Sequence, residues 1–165
     1  MAILTTDRLI LREFEITDAA DLYELNIDPE VIKYTGDKSF NSIKDAEDLI
    51  KNYTQYKTYG YGRWAVITKD TNEFIGWCGL KYLPDTNETD LGFRFFRKHW
   101  NKGYATESSI LCLDIGFSQF GLDTIVGKVM TANIASIKVL EKVGMTYWKD
   151  FDFDGHPGQY YKIEK

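Results

Sequence analysis

Leu91-Gly92-Phe93-Arg94-Phe95-Phe96-Arg97-Lys98-His99-Trp100-Asn101-Lys102-Gly103-Tyr104-Ala105-Thr106-Glu107 reads as a strand, a short basic loop with a glycine, and the opening turn of a helix. Leu91 to Phe95 alternates as a strand does, and from about Gly103 the text becomes a long helix without proline. Arg94, Arg97, Lys98 and Lys102 fall within nine residues, and no acid occurs between Leu91 and Thr106. In a chain of net charge −5, a cationic loop at a helix start needs a physical reason. Anion binding is one. The first helical turn offers unpaired N–H groups and the positive end of the dipole, and a glycine lets a phosphate approach the backbone. A plain structural turn is the alternative.

The loop is neither G-x-x-x-x-G-K-[ST] nor G-x-G-x-x-G, so the usual triphosphate and dinucleotide cradles are excluded. A length of 165 residues fits one domain spanning 1–165, and 44% apolar with 27% charged residues is ordinary for a soluble globular chain. The acidic balance argues against nucleic acid as a partner, which requires a broad basic face. Cys78 and Cys112 lie far apart in apolar runs, and His99 and His156 lack metal-ligand spacing. Buried reduced thiols, no metal and a cytoplasmic setting are therefore expected. MAILTTDRL has no apolar leader core and no stretch is long enough to span a bilayer, so no membrane association is expected.

Outward from the opening stretch, Arg8 to Phe14 reads as a strand. Thr17-Asp18 caps a helix over Ala19–Ile27, and Pro29–Tyr34 opens a second, short one. Ile43, Ala46, Leu49, Ile50 and Tyr53 predict one amphipathic helix from Ser42 to Tyr56. Three strands follow, Arg63–Thr68, Phe74–Leu83 and Thr89–Phe95, with short turns that imply an antiparallel meander. Gly76 and Gly79 inside the second mark a bulge or a close backbone approach, and the third carries Gly92. A helix over Tyr104–Phe120, a strand over Thr124–Met130, a helix over Ala135–Val143 and a hairpin complete the chain. That hairpin joins Met145–Phe153 to Gln159–Ile163 through Asp154–Gly158. The strand–helix–strand crossover from Phe95 to Met130 should pair its strands in parallel or place them as near neighbours, with a right-handed connection. The expected architecture is mixed α/β (α+β), with the ligand crevice where the connection changes.

Trp100 to Glu107 resembles the pyrophosphate loop of the GCN5-related N-acetyltransferases (GNAT), in the branch containing the ribosomal-protein alanine N-acetyltransferases. The likeness extends along the chain. Thr6-Asp7-Arg8-Leu9-Ile10-Leu11-Arg12 resembles that branch's T-x-R-L-x-L-R opening, and Ile75-Gly76 with Gly79-Leu80 its I-G-x-x-G-L strand. Asp90-Leu91-Gly92-Phe93 is similar to its [ED]-[LI]-G-[YF]. Asn133 to Met145 is similar to its N-x-x-S-x-x-[VL]-[LM]-E-K-[LV]-G-[FM]. The loop departs from the common R/Q-x-x-G-x-G/A form at Trp100, a departure usual in this branch.

The resemblance implies a central, mostly antiparallel sheet flanked by helices and splayed between its fourth and fifth predicted strands, Asp90–Phe95 and Thr124–Met130. It implies acetyl-CoA in that gap as co-substrate. Pantetheine would pair with the backbone of Phe93, Arg94 and Phe95. The pyrophosphate would rest on Arg97, Lys98, Asn101, Lys102, Gly103, Tyr104, Ala105 and Thr106. Asn133 would face the pantetheine amide while capping its helix.

Acetyl transfer to an amine needs a neutral nucleophile, a polarised thioester and a protonated leaving thiolate, with no covalent enzyme intermediate. Many relatives place a tyrosine where this chain has Leu140. Ser136 is therefore the candidate donor to the thiol, with a plain first-turn residue as the alternative. Asp90 is the candidate base, with Glu88 beside it, against a solvated turn pair. Glu107 reads as an acid favouring the helix dipole. Asp85, Glu88, Asp90, Asp150, Asp152 and Asp154 give a weak hint of negative potential toward a cationic acceptor. The acceptor itself is expected to be an amine, either a protein N-terminus or a small molecule, and the protein a monomer or homodimer. The competing reading is a CoA-binding sensor or scaffold with little turnover.

Overall fold

A computed structural model describes residues 3–165. Met1 and Ala2, which open the segment read as lacking a leader core, lie outside them. The chain runs β1 (Leu4–Thr5), β2 (Leu9–Arg12), α1 (Ala19–Ile27), α2 (Pro29–Ile32), α3 (Ile43–Lys51), α4 (Gln55–Tyr59), β3 (Arg63–Thr68), β4 (Phe74–Leu83), β5 (Glu88–Phe95), α5 (Tyr104–Ser118), β6 (Thr124–Met130), α6 (Ile134–Lys142), β7 (Thr146–Phe153) and β8 (His156–Glu164). One sheet of eight strands results, in the order β1-β2-β3-β4-β5-β6-β8-β7. Every neighbouring pair is antiparallel except β5 and β6, which the α5 crossover joins in parallel.

Both sheet faces are covered, so the central strands are buried on both sides and read as nearly continuous apolar runs. On one face Leu9, Leu11, Trp64, Val66, Cys78, Leu80 and Leu91 pack on Cys112, Leu113 and Ile115 of α5. On the other, Ala65, Ile67 and Phe74 pack on Leu22 and Leu25 of α1 and Ala46 of α3. Cys78 and Cys112 face each other with sulfurs 3.8 Å apart, both buried and free. None of the described helices is long and apolar enough to cross a membrane.

Three local expectations are corrected. The helix predicted over Ser42–Tyr56 is two, broken at Asn52–Thr54. The break turns Tyr53 and Tyr56 inward, where the Tyr53 hydroxyl accepts from the Arg63 N–H at 2.7 Å and the Tyr56 hydroxyl donates to the Arg63 carbonyl. Asp18 does not cap α1 with its side chain. It receives both Nη groups of Arg12, each at 2.8 Å, and the Glu15 N–H at 2.7 Å. The final hairpin turns tightly at Asp154-Gly155, both at positive φ, so β8 begins at His156 rather than Gln159.

Candidate active site

β5 and β6 meet at one register pair, Asp90 with Val126, and then part. Beyond Asp90 the edge of β5 that faces β6, including Phe93 to Phe95, has no strand beside it among the described residues. This is the splay expected between the fourth and fifth predicted strands. A cavity of about 540 Å³ opens there, and Asp90, Leu91, Gly92, Phe93 and Arg94 of β5 border it on one side. Val129 of β6 with Asn133, Ser136 and Leu140 of the α6 region border it on the other.

At the far end of β5 the basic loop makes one 3₁₀ turn, Arg97–His99, and enters α5 through Gly103. Trp100 fixes the loop by donating its indole N–H to the Phe95 carbonyl at 2.9 Å. Asn101 (φ 60) and Gly103 (φ 81) are both left-handed, a conformation that glycine adopts without steric cost. The first intrahelical bond runs from the Glu107 N–H to the Gly103 carbonyl at 2.9 Å, and no side chain caps the helix. The amides of Tyr104, Ala105 and Thr106 are thus left to an outside acceptor, the arrangement that binds phosphate. The loop's charges are distributed less simply. Arg97 donates twice to the half-buried Asp28, at 3.0 and 3.1 Å. Lys98 pairs with Glu73 on exposed side chains, where such a pair holds weakly and can exchange. Lys102 has no ion-pair partner among the described residues.

One element of the loop's support was missed in the sequence. Glu107 reaches across 99 residues to accept from the Arg8 amide at 3.0 Å and the Arg8 Nε at 2.7 Å, and from the Thr6 hydroxyl at 2.6 Å. Arg8 then lies over the Tyr104 ring, 4.5 Å from its centre. Burial alone would push the Glu107 carboxyl up, but these three donors outweigh it and hold it below its ordinary value. A depressed carboxyl stabilises the fold above its unfolded pKa, about 4.3, and the contribution vanishes as pH falls through the lower folded value. Glu107→Gln is expected to cost about 1–2 kcal/mol at pH 7. Thermal melts should show its deficit closing below about pH 4, and a deficit constant down to pH 3 would refute the assignment.

The floor of the cavity is an arginine lying across three strands. The Arg63 guanidinium donates to the Gly79 carbonyl at 2.7 Å, to the Asp90 carbonyl at 3.0 Å and to the Asp90 carboxylate at 3.0 Å. Gly79 and Gly92 stand opposite each other in the ladder, and a Cβ on Gly92 would sit 2.6 Å from that guanidinium. At Gly92 the missing Cβ thus makes room for a side chain. Asp90 does line the cavity, as a base must, but one of its oxygens is occupied by Arg63. Glu88 lies outside it, accepting from the Tyr160 hydroxyl at 3.1 Å. Burial foremost, with Glu88 adding to it, pushes that phenol up to about 12, so Tyr160 stays protonated.

Arg94 donates to Asn26 at 2.6 Å and to Asp37 at 2.7 Å, and its side chain is only 9% exposed. Burial lowers this guanidinium from its ordinary value, and Asp37 offsets that only in part. Its side chain thus faces the α1–α3 side of the cavity, leaving only the Arg94 backbone on the gap. Across the gap Asn133 caps α6, its Oδ1 accepting from the Ser136 N–H at 3.3 Å, and Ser136 sits half-buried on the wall. Arg63, Trp77, Lys81 and Lys128 also line the cavity and were not singled out from the sequence. For the three cations the available signal was a charged residue beginning or interrupting an apolar strand; Trp77 gave none.

The profile of the acetyltransferase (GNAT) domain matches residues 8–146. The chain belongs to this family and is an N-acetyltransferase. Among curated relatives it is 36% identical to an uncharacterized N-acetyltransferase p20 of Bacillus licheniformis, over 87% of this chain and 82% of that one. A GNAT-family acetyltransferase from Bacillus anthracis superposes with TM-score 0.85 at 26% identity, covering 99% of this chain and 98% of that one. A spermidine N-acetyltransferase from Vibrio cholerae, solved with CoA and spermine, shares the fold with TM-score 0.81 at 19% identity over 96% of each chain.

Proposed function

We propose that this chain acts as one catalytic domain over 1–165 and moves an acetyl group directly from acetyl-CoA to a primary amine, on a protein N-terminus or a small molecule. The observation that carries the reading is the parting of β5 from β6 after a single register pair, beside a helix whose first amides find no acceptor among the described residues. Acetyl-CoA would supply the activated acetyl group. The residues present fit it: Tyr104, Ala105 and Thr106 with Gly103 and Asn101 offer backbone to the pyrophosphate, Lys102, Arg97 and Lys98 add charge, and Phe93 to Phe95 offer an open strand edge.

Asp90 takes the ammonium proton through the oxygen not held by Arg63, directly or through water. The neutral amine then attacks; its N–C bond forms as the thioester C–S bond breaks. Ser136 donates toward the departing sulfur, and Asn133 orients that side of the cleft. With Leu140 buried where relatives carry a tyrosine, Ser136 is the hydroxyl on this wall.

Calorimetric titration with acetyl-CoA should give micromolar binding to the wild-type protein. In a thiol-release assay, Ser136→Ala should lower kcat about 10–100-fold with the acetyl-CoA Kd unchanged. Binding without release of CoA to any amine or peptide would instead assign a CoA-binding sensor. Absence of binding would refute both.

A further inference from the structure

The cavity has the opposite sign to the chain. Among the described residues Lys38, Arg63, Lys81, Arg94 and Lys128 line it against Asp37 and Asp90, within a chain of net charge −5. Both carboxylates are engaged by the two arginines, at 2.7 Å for Asp37 with Arg94 and 3.0 Å for Asp90 with Arg63. Lys38, Lys81 and Lys128 form no ion pair among the described residues. Of the six acids that hinted at a cationic acceptor, Asp90 alone lines this cavity.

The unpaired lysines come from separate elements. Lys81 stands opposite Asp90 in the β4–β5 ladder, and Asp90 opposite Val126 in the β5–β6 pair. Lys128 is two residues beyond Val126, so Lys81, Asp90 and Lys128 share one sheet face, at the point where the strands part. Lys38 reaches the same space from the α2–α3 connection. These lysines are distinct from Lys98 and Lys102 of the phosphate loop, which do not line the cavity. Beneath them the Trp77 ring lies between Arg63, 5.3 Å from its centre, and Arg94, at 5.2 Å. The Arg94 Nε is buried and has no hydrogen-bond partner among the described residues.

We propose, resting on the acetyl-transfer reading above, that the acceptor is a primary amine that also carries a carboxylate, which Lys81, Lys128 and Lys38 hold. A concave site of one sign concentrates ligands of the other, and a polyamine would add charge to a cavity already cationic. The same field favours the chemistry. An ammonium beside cations loses its proton more readily, so the amine reaches its neutral form at lower pH. The step balances: one ammonium proton leaves to solvent, the second N–H proton goes to the sulfur, and the products are an N-acetylated acid and CoA.

The test uses the full chain, with acetyl-CoA binding measured first and thiol release then followed in matched arms. These are free amino acids, the corresponding amino-acid amides, dipeptides with an acidic second residue, and spermidine. The kcat/KM of the free acids or the acidic dipeptides should exceed that of the amides at least tenfold, and whichever of the two leads identifies the source of the carboxylate. Lys128→Gln and Lys81→Gln should shrink that advantage by raising the acceptor KM while the acetyl-CoA Kd stays fixed. Preference for amides or spermidine, no carboxylate-bearing amine consumed by a protein that binds acetyl-CoA, or lysine variants that weaken acetyl-CoA instead, would overturn the proposal. A protein that fails to bind acetyl-CoA at all would refute the acetyl-transfer reading itself, and this proposal with it.

Discussion

Gly103→Trp is expected to weaken acetyl-CoA binding at least 100-fold. Two effects combine at this residue. Its φ of 81° is a conformation that costs a side-chain-bearing residue about 1–2 kcal/mol. A Cβ there would also sit 3.3 Å from the Arg8 guanidinium, so the indole has to extend over the first turn of α5 or displace Arg8. Either course covers the amides of Tyr104 to Thr106. Charge-assisted hydrogen bonds are each worth about 1.5–3 kcal/mol, so losing two removes about 3 kcal/mol or more, which is the stated factor. Gly103→Ala separates the contributions, since it keeps the strain and leaves the amides open. Its melting temperature should fall by the strain alone and no further than that of the tryptophan variant, with a Kd within about tenfold of the parent. A folded tryptophan variant with unchanged Kd would show that the loop is only a turn.

The loop was legible because its signals are local. Glycine punctuation, cation clustering and the switch from period-two to helical patterning all lie within Leu91–Glu107, and the structure places the strand end and helix start there. The crossover was legible from the strand–helix–strand order, which allowed parallel pairing or near neighbours, and β5 and β6 pair in parallel. The failures share a different origin. Arg63 and Asp90 are 27 residues apart, and their meeting depends on the register of β3, β4 and β5 and on two glycines that clear space. No local pattern encodes which side chain fills the room a glycine leaves. The pairing of Arg97 with Asp28, and of Lys98 with Glu73, likewise depends on α2 and the β3–β4 turn coming beside the loop. The sign of the charge around the cavity was misjudged for the same reason. Counting acids near turns ignores that strands alternate faces, and the lysines on one face outnumber the carboxylates left unpaired.

Asp90→Ala is expected to destabilise the fold by about 3–5 kcal/mol, because it leaves the Arg63 guanidinium buried without its carboxylate. The two side chains are 13% and 11% exposed, so water replaces little of what is lost. Asp90→Asn keeps an oxygen for the Arg63 N–H and should cost less. That makes it the better probe of chemistry. If Asp90 takes the ammonium proton, the asparagine variant should lose turnover most at pH 6 and recover toward pH 9, where the amine is already neutral. A kcat unchanged across pH 6 to 9, with a raised acceptor KM, would remove it as base and leave it as the residue that positions Arg63. Asp90→Leu with Arg63→Met carries the stability argument further. Removing both charges should restore most of what Asp90→Ala loses, since the penalty lies in the stranded cation rather than in the missing bond.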